Sequence, residues 1–314
     1  MGLENLVFVP SKSRYELELE EKGSDHFVKK SFSSEEIYNK IVISHHKQKA
    51  NLSRVVNLFG SDAVVDRSKL NNDLVRGKDL FIFLGGDNHF TYCAQKVLSY
   101  LQRNPQERKY VAGVVLDPDK STGALLSFRV NEFLEGVTSE LASGFGENKG
   151  FENYSVEQWT TLEGSVKYNS SVRKLLVPAI DEYFVGESAR MQMSRNVVYL
   201  DGKEIFPDKS SGLLVATGSG SNQGSWYNNV YEMIFNESGE FPKGSESAKM
   251  ILTEHRSRSV ANLYKGQILE IHSYNDDYGI ISADCHKEHT TTFPMGAKAE
   301  IKVSDLKLRV LVGF

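Results

Sequence analysis

FIFLGGDNHF, residues 81–90, decides how this chain is read. Apolar residues from Leu80 to Leu84 run without alternation into Gly85-Gly86, and an acid, an amide and an imidazole follow at Asp87, Asn88 and His89. An unbroken apolar run of this length is a strand buried on both faces. Two glycines turn the chain and let a ligand approach the backbone closely. Apolar residues at helical spacing resume over Tyr92–Leu101, so the stretch reads as strand, turn, helix. In an open parallel sheet, ligands bind beyond the carboxyl ends of the strands, where a helix N-terminus offers N–H groups to an anion. Asp87 then has two readings: an N-cap of the helix, or a carboxylate placed beside a bound phosphate.

The flanking sequence repeats the pattern. Leu6–Val9 reads as a short strand, and Ser33/Ser34 with Glu36 opens a capped helix that runs through Ile41-Val42-Ile43 toward Leu52, Val55, Val56 and Leu58. Asp62–Val65 is a further strand candidate and Val111–Leu116 another buried one. Unalternating strands separated by helices predict a Rossmann-like α/β domain with a parallel sheet over residues 1–137, completed by the C-terminal tail near 303–314. Past residue 138 the character changes. SELASGFGENKGFENYS, residues 139–155, is a Gly/Ser/Asn-rich connector. Short strand-like runs follow at Lys174–Val177, Tyr183–Val185, Val197–Leu200, Leu213–Ala216, Met250–Thr253, Gln267–Ser273, Tyr278–Ser282 and Leu306–Val312. Turns such as Asp201-Gly202 and Asn275-Asp276-Asp277 separate several of them. Residues 138–302 therefore read as a β-rich domain, a β-sandwich of antiparallel strands.

Composition narrows the function classes. At 314 residues the chain exceeds the usual size of one core, which favours two domains. Apolar content of 40%, charged content of 25% and a net charge of −4 suit a globular protein with no general pull toward nucleic acid or anionic membrane. No apolar window is long enough to span a bilayer, and the apolar run in MGLENLVFVPSKSRYE is too brief for a signal peptide. Cys93 and Cys285 stand far apart with no CxxC, so reduced thiols in the cytoplasm are expected. There is no Walker loop, no GxGxxG and no GxSxG elbow. Asp284-Cys285-His286 with His289 has metal-like residue types without a closed-site spacing, so a polar β-turn is the better reading. His45-His46, beside Lys47 and Lys49, reads as a solvated helix face.

Three elements occur in a fixed order: Gly85-Gly86-Asp87-Asn88, then Asp181-Glu182, then Thr217-Gly218-Ser219-Gly220-Ser221. Together they resemble the NAD kinase family, with its GGDG turn, its Asn-Glu pair and its TGTGS-like loop. SRYELE at 13–18, HHKQKANL at 45–52, GVVLDPDKSTG at 113–123, FVGES at 184–188 and KSSGL at 209–213 look like the mitochondrial type. Residues 138–172 match nothing in that pattern. The resemblance implies transfer of the terminal phosphoryl of ATP to the 2′-hydroxyl of the adenosine ribose of NAD, giving NADP. It implies Mg²⁺ (or Mn²⁺) held through the nucleotide phosphates rather than by protein ligands, and a homo-oligomer such as a dimer. Asp87 is implied as general base. Gly85, Gly86, Asn88 and His89 would lie at the phosphates, and Asp181, Glu182, Ser211, Thr217, Gly218, Ser219 and Ser221 at NAD. Asp117 and Lys120 are further cleft candidates, and Asp284 is implied to match an aspartate late in the β domain.

The sequence departs from the family pattern at three places. Asn88 and His89 replace Gly and Thr, Asp181 replaces Asn, and the aromatic expected after the loop is shifted to Trp226 or Tyr227. Asn tolerates a left-handed turn. A carboxylate only accepts hydrogen bonds, whereas an amide also donates. These departures keep open a catalytically impaired NAD- or nucleotide-binding relative. A lipid or diacylglycerol-type kinase, which shares a GGDG-like turn, is a third reading.

Overall fold

A computed structural model describes residues 5–119, 123–142, 154–168, 173–189, 192–206, 209–255, 259–276 and 278–313, with the backbone alone for 137–142. Asp277 and Lys120 lie outside the described residues. The chain divides into two compact units, one of residues 1–96, 108–156 and 310–314, the other of 97–107 and 157–309.

The first unit is built on the expected buried strands. Leu6–Pro10, Leu80–Leu84 and Tyr110–Val115 pair in parallel, with Val7 opposite Phe81 and Ile82 opposite Ala112. The sheet order continues through Leu308–Gly313 to Tyr154–Trp159, and Phe128–Arg129 pairs with Tyr110–Val115 at its side. Leu6, Phe8, Leu80, Ile82, Leu84, Ala112 and Val114 form one buried cluster with Val55 and Phe133 from covering helices. Phe81 and Phe83, which alternation sends to the opposite face, are also fully buried. Both faces are thus covered, which is why the strand sequences show no alternation.

Helix Glu35–Phe59 begins where its cap signal lies: the Ser34 hydroxyl accepts the N–H of Ile37. One expected strand is absent. Ser61–Ala63 is a 3-10 turn, and Val64 makes only a single parallel bridge to Phe8, so Asp62–Val65 runs beside the sheet without joining it.

The second unit is a β-sandwich. One sheet orders Lys203–Phe206, Ser194–Leu200, Leu269–Ser273, Lys298–Val303, Leu162–Lys167 and Lys174–Leu175, with Lys209–Ser210 paired to Ser194–Leu200. The other orders Val260–Tyr264, Ser247–Thr253, Gly212–Ala216, Glu182–Glu187, Gly279–Ala283 and Thr290–Thr292. All the pairings within these two sheets are antiparallel. Their inner faces share one core, in which Val185, Val215, Met250 and Ile281 meet Val198, Leu269, Ile271 and Ile301. Helix Trp226–Phe235 covers the outer face of the second sheet through Tyr227, packed with Phe184, Leu214 and Ile251. That cover makes Gly212–Ala216 and Glu182–Glu187 buried throughout. No helix among the described residues is long and apolar enough to cross a membrane.

Candidate active site

In the first unit, the carboxyl ends of the three parallel strands deliver Ser11, Gly85 and Leu116 side by side. The Ser11 N–H donates to the Leu84 carbonyl at 2.8 Å and the Gly85 N–H to the Val114 carbonyl at 3.0 Å. A Cβ on Gly85 would stand 2.7 Å from the Ser11 hydroxyl, so the glycine is required by close packing. Helix Asp87–Leu101 starts immediately afterward, one turn earlier than its apolar periodicity shows. The His89 and Phe90 amides donate to the Gly86 carbonyl at 3.0 Å, so an anion at this N-terminus would meet the amides of Asp87 and Asn88.

Asp87 is more than a cap. Its carboxylate accepts the N–H of Leu125 at 2.9 Å on one oxygen and of Ala124 at 3.2 Å on the other. The acid therefore holds a loop that follows strand Tyr110–Val115. Asn88 is exposed, and the first turn it occupies is helical, with no positive φ. The left-handed conformation that would favour glycine there is not used. His89 takes no place among phosphate-facing groups: its ring is 6% exposed and Nε2 lies 2.8 Å from the Val9 carbonyl. Burial pushes the imidazole down to about 4, so it is neutral at physiological pH. Helical periodicity explains the inward turn, since His89 shares a face with buried Cys93.

The long helix braces the same edge. Ser44 donates to the Asp117 carboxylate, and the Asn51 amide donates to the Leu116 carbonyl at 2.8 Å. Asp117 is 5% exposed, and its Oδ1 has no hydrogen-bond partner among the described residues. His45 is half-buried: Nδ1 lies 2.7 Å from the Ser13 hydroxyl, and Lys49 pairs with Glu16. The solvated face expected for His45-His46 is thus partly an internal contact, joining the segments SRYELE and HHKQKANL.

In the second unit, three neighbouring antiparallel strands bring their ends to one edge. Ala216 lies opposite Glu182 and Ala283 opposite Tyr183, so Thr217, Asp181 and Asp284 follow on together. The Thr217 N–H donates to the Asp181 carbonyl at 2.8 Å and its hydroxyl to the Ile180 carbonyl at 2.5 Å. That hydroxyl in turn accepts the amides of Ser219 and Gly220. Ser221 donates to the Gly218 carbonyl at 2.9 Å and accepts the Phe241 amide at 3.0 Å. The loop is a buried turn, bonded within itself and to its neighbours Ile180, Asp181 and Phe241. Both glycines are packing requirements: a Cβ would stand 2.2 Å from the Pro242 carbonyl oxygen at Gly218, and 2.2 Å from that of Asp181 at Gly220.

Asp284 is the centre of this edge. Its carboxylate accepts the N–H groups of Ile180 at 3.0 Å, Asp181 at 2.8 Å and Glu182 at 3.1 Å. Three such bonds favour the ionised form. Glu182 accepts from the Cys285 thiol, 3.3 Å away, and burial pushes its carboxyl up to about 7. Burial, with the Glu182 charge beside it, raises the Asp284 carboxyl to about 7 as well, against the lowering effect of its three amides, so the two acids share a proton near neutral pH. Asp284 and Cys285 both have left-handed φ, 49° and 56°, a costly backbone for two non-glycine residues in succession.

Two expected members stand elsewhere. Ser211 precedes strand Gly212–Ala216 whereas Thr217 follows it, so the strand rise separates them by ~20 Å. Its hydroxyl donates to Glu254 at 2.5 Å. Trp226 and Tyr227 open a helix: Trp226 packs on Phe184 with ring centroids 4.9 Å apart, and Tyr227 is core. Among the described residues no group of three or more His, Cys, Asp or Glu is arranged to hold a metal ion.

No protein-family model matches the chain. Two curated relatives are NAD kinase 2, mitochondrial, from Rattus norvegicus and Homo sapiens. The rat protein is 26% identical over 225 residues, 62% of this chain and 51% of that protein. The human protein is 25% identical over 265 residues, 74% of this chain and 58% of that protein. The chain thus spans about half the length of the curated relatives it matches. Among solved structures, yeast NADH kinase complexed with NADH aligns with a TM-score of 0.61 at 16% identity, covering 80% of this chain and 66% of that one. An NAD kinase from Archaeoglobus fulgidus in complex with ATP aligns with a TM-score of 0.58 at 16% identity, covering 84% and 89%. These structural likenesses establish the two-domain fold.

Proposed function

We propose, for a chain whose sequence relatives and fold are those of the NAD kinase family, that it transfers the terminal phosphoryl of ATP to the 2′-hydroxyl of the adenosine ribose of NAD. The observation that carries this reading is Asp87, heading a helix at the carboxyl end of a buried parallel strand beside Gly85 and Gly86. The amides there would take donor phosphates, and Asp87 would accept the proton of the hydroxyl as it attacks. Each carboxylate oxygen has two lone pairs, so the bonds to Ala124 and Leu125 leave room for that hydrogen bond.

In the second unit Asp181, Glu182 and the Thr217–Ser221 turn would bind NAD. Glu182, raised by burial, would supply a donor whenever it holds the proton it shares with Asp284. Ser219, whose buried hydroxyl has no hydrogen-bond partner among the described residues, offers another. Mg²⁺ would be held through the nucleotide phosphates and would neutralise their charge. The test is NADP formation from the purified protein with NAD, Mg²⁺ and a donor panel of ATP, GTP and polyphosphate. Product with at least one donor, lost in Asp87→Asn, supports the reading. No NADP from any donor sinks it.

A second reading is a nucleotide-binding relative without turnover. What favours it is the engagement of both Asp87 oxygens with loop amides. Calorimetric binding of NAD or NADP with no turnover under any donor would select it. Cytoplasmic residence and a homodimer belong to the proposal as well, with sedimentation testing the latter.

A further inference from the structure

A cavity of about 710 Å³ in the second unit contains none of the residues assigned above. Its lining is strongly charged, and almost every charge is matched. Arg173 pairs with Glu300 at 2.5 Å and Lys302 with Glu163 at 2.8 Å. Lys307 is held by Glu246 at 2.8 Å, and Asp305 by Lys265 at 3.3 Å. Arg309 is the exception. Its guanidinium makes no hydrogen bond or ion pair among the described residues, and Nη1 is buried. A cation held partly out of water without a counter-charge is costly, and an anion brought to it is bound correspondingly well.

The cavity also has an apolar side. Leu175 is 69% exposed and Ile268 47% exposed, both on its wall, with Leu306 beside them. Strand edges seldom leave two large aliphatic side chains open beside a charged pocket without use. A planar guanidinium pairs with a carboxylate through two parallel N–H···O bonds. We infer that this cavity binds a small carboxylic acid, its carboxylate on Arg309 and its aliphatic or aromatic body across Leu175 and Ile268. The inference is independent of the kinase reading, since no residue of the Asp87 or Thr217–Ser221 edges lines the cavity.

The test is calorimetric titration of the full chain with hexanoate, beside 1-hexanol and inorganic phosphate as probes of each half of the ligand. One saturable hexanoate site is expected, with 1-hexanol and phosphate binding at least tenfold more weakly. Arg309→Gln should weaken hexanoate at least tenfold. Arg309→Lys should weaken it less, because an ammonium keeps the charge and loses the paired geometry. Leu175→Ser, on an exposed position, should weaken it severalfold, and saturating NAD or ATP should leave it unchanged. Circular dichroism checks each variant; if Arg309→Gln does not fold, Arg309→Lys and Leu175→Ser decide. Absence of saturable hexanoate binding overturns the inference. So does hexanoate affinity unchanged in folded Arg309 and Leu175 variants, phosphate bound in place of hexanoate, or competition by NAD or ATP.

Discussion

Asp284 and Glu182 are joined in both directions: the Asp284 N–H donates to the Glu182 carbonyl at 2.9 Å, and the Glu182 N–H returns to the Asp284 carboxylate at 3.1 Å. The same carboxylate also takes the amides of Ile180 and Asp181, so one side chain fixes the backbone of the Asp181-Glu182 step. Asp284→Asn keeps the left-handed backbone accessible and one acceptor oxygen, isolating the charge. It should cost about 1–3 kcal/mol of stability, as expected when buried amides lose a charged acceptor. Urea unfolding measures it, and a change within error would show that the amides have other support.

Glu182 predicts a pH dependence. Its folded carboxyl is raised by burial to about 7, above the ordinary value of 4.5, and that of Asp284 beside it is raised to about 7 as well, by burial and by the Glu182 charge. The folded state therefore holds a proton that the unfolded state releases, and stability falls as pH rises from about 4.5 to about 7. Glu182→Gln should remove this part of the slope and be the more stable form above pH ~7, by no more than about 3 kcal/mol. Melting temperatures between pH 5 and pH 8 (an order-of-magnitude window around the transition) test it; parallel wild-type and variant profiles would refute the assignment.

Gly218 and Gly220 should each reject a methyl group. In both cases the nearest atom to an added Cβ is a backbone carbonyl oxygen 2.2 Å away, which cannot swing aside. Gly218→Ala and Gly220→Ala should destabilise by about 1–3 kcal/mol or more, the cost of overpacking. An alanine tolerated at both positions would mean that the Thr217–Ser221 turn adapts.

Asp87→Asn should separate chemistry from structure. Activity should fall at least about a hundredfold if the side chain is a general base, while stability should drop by only about 1 kcal/mol, since one amide acceptor survives. Faster hydrogen exchange at the Ala124 and Leu125 amides should accompany it. Full activity in the variant would leave Asp87 with the loop-holding role alone.

Asn88→Gly restores the family's fourth motif residue without relieving strain. The position is helical, so glycine should cost up to about 1 kcal/mol of stability through backbone entropy. NADP formation should change little. A large gain in activity would mean that the exposed Asn88 side chain obstructs the donor.

Much of this fold was legible because periodicity reports burial. Leu80–Leu84 and Tyr110–Val115 lack alternation because both faces are covered, and the Ser34 cap announced helix Glu35–Phe59. Helix Trp226–Phe235 was hidden because a single helix laid on a sheet looks like one more apolar run, although Ser225 caps it onto Asn228. Strand Lys298–Val303 alternates cleanly between exposed and buried, a period-2 signal its sequence carries. Motif order singled out Asp87, Asp181, Glu182 and Thr217–Ser221, and the last three gather at one strand-end edge of the second unit. What the sequence could not reveal was direction: His89 turns inward, and Ser211 sits at the far end of the strand from Thr217. Nor could it reveal that Asp284 serves residues 102 to 104 positions earlier, because only strand register makes them neighbours.

That separation bears on biosynthesis. Asp181 leaves the ribosome 103 residues before Asp284 does, so its amide must wait for its acceptor while all the intervening chain is made. Pairings between such distant segments pay loop closure before they gain any contact, and they form late. The NAD-binding edge proposed here is then among the last parts of the second unit to mature. A nascent chain stalled before strand Gly279–Ala283 would carry the Thr217–Ser221 motif with its backbone still unmoored.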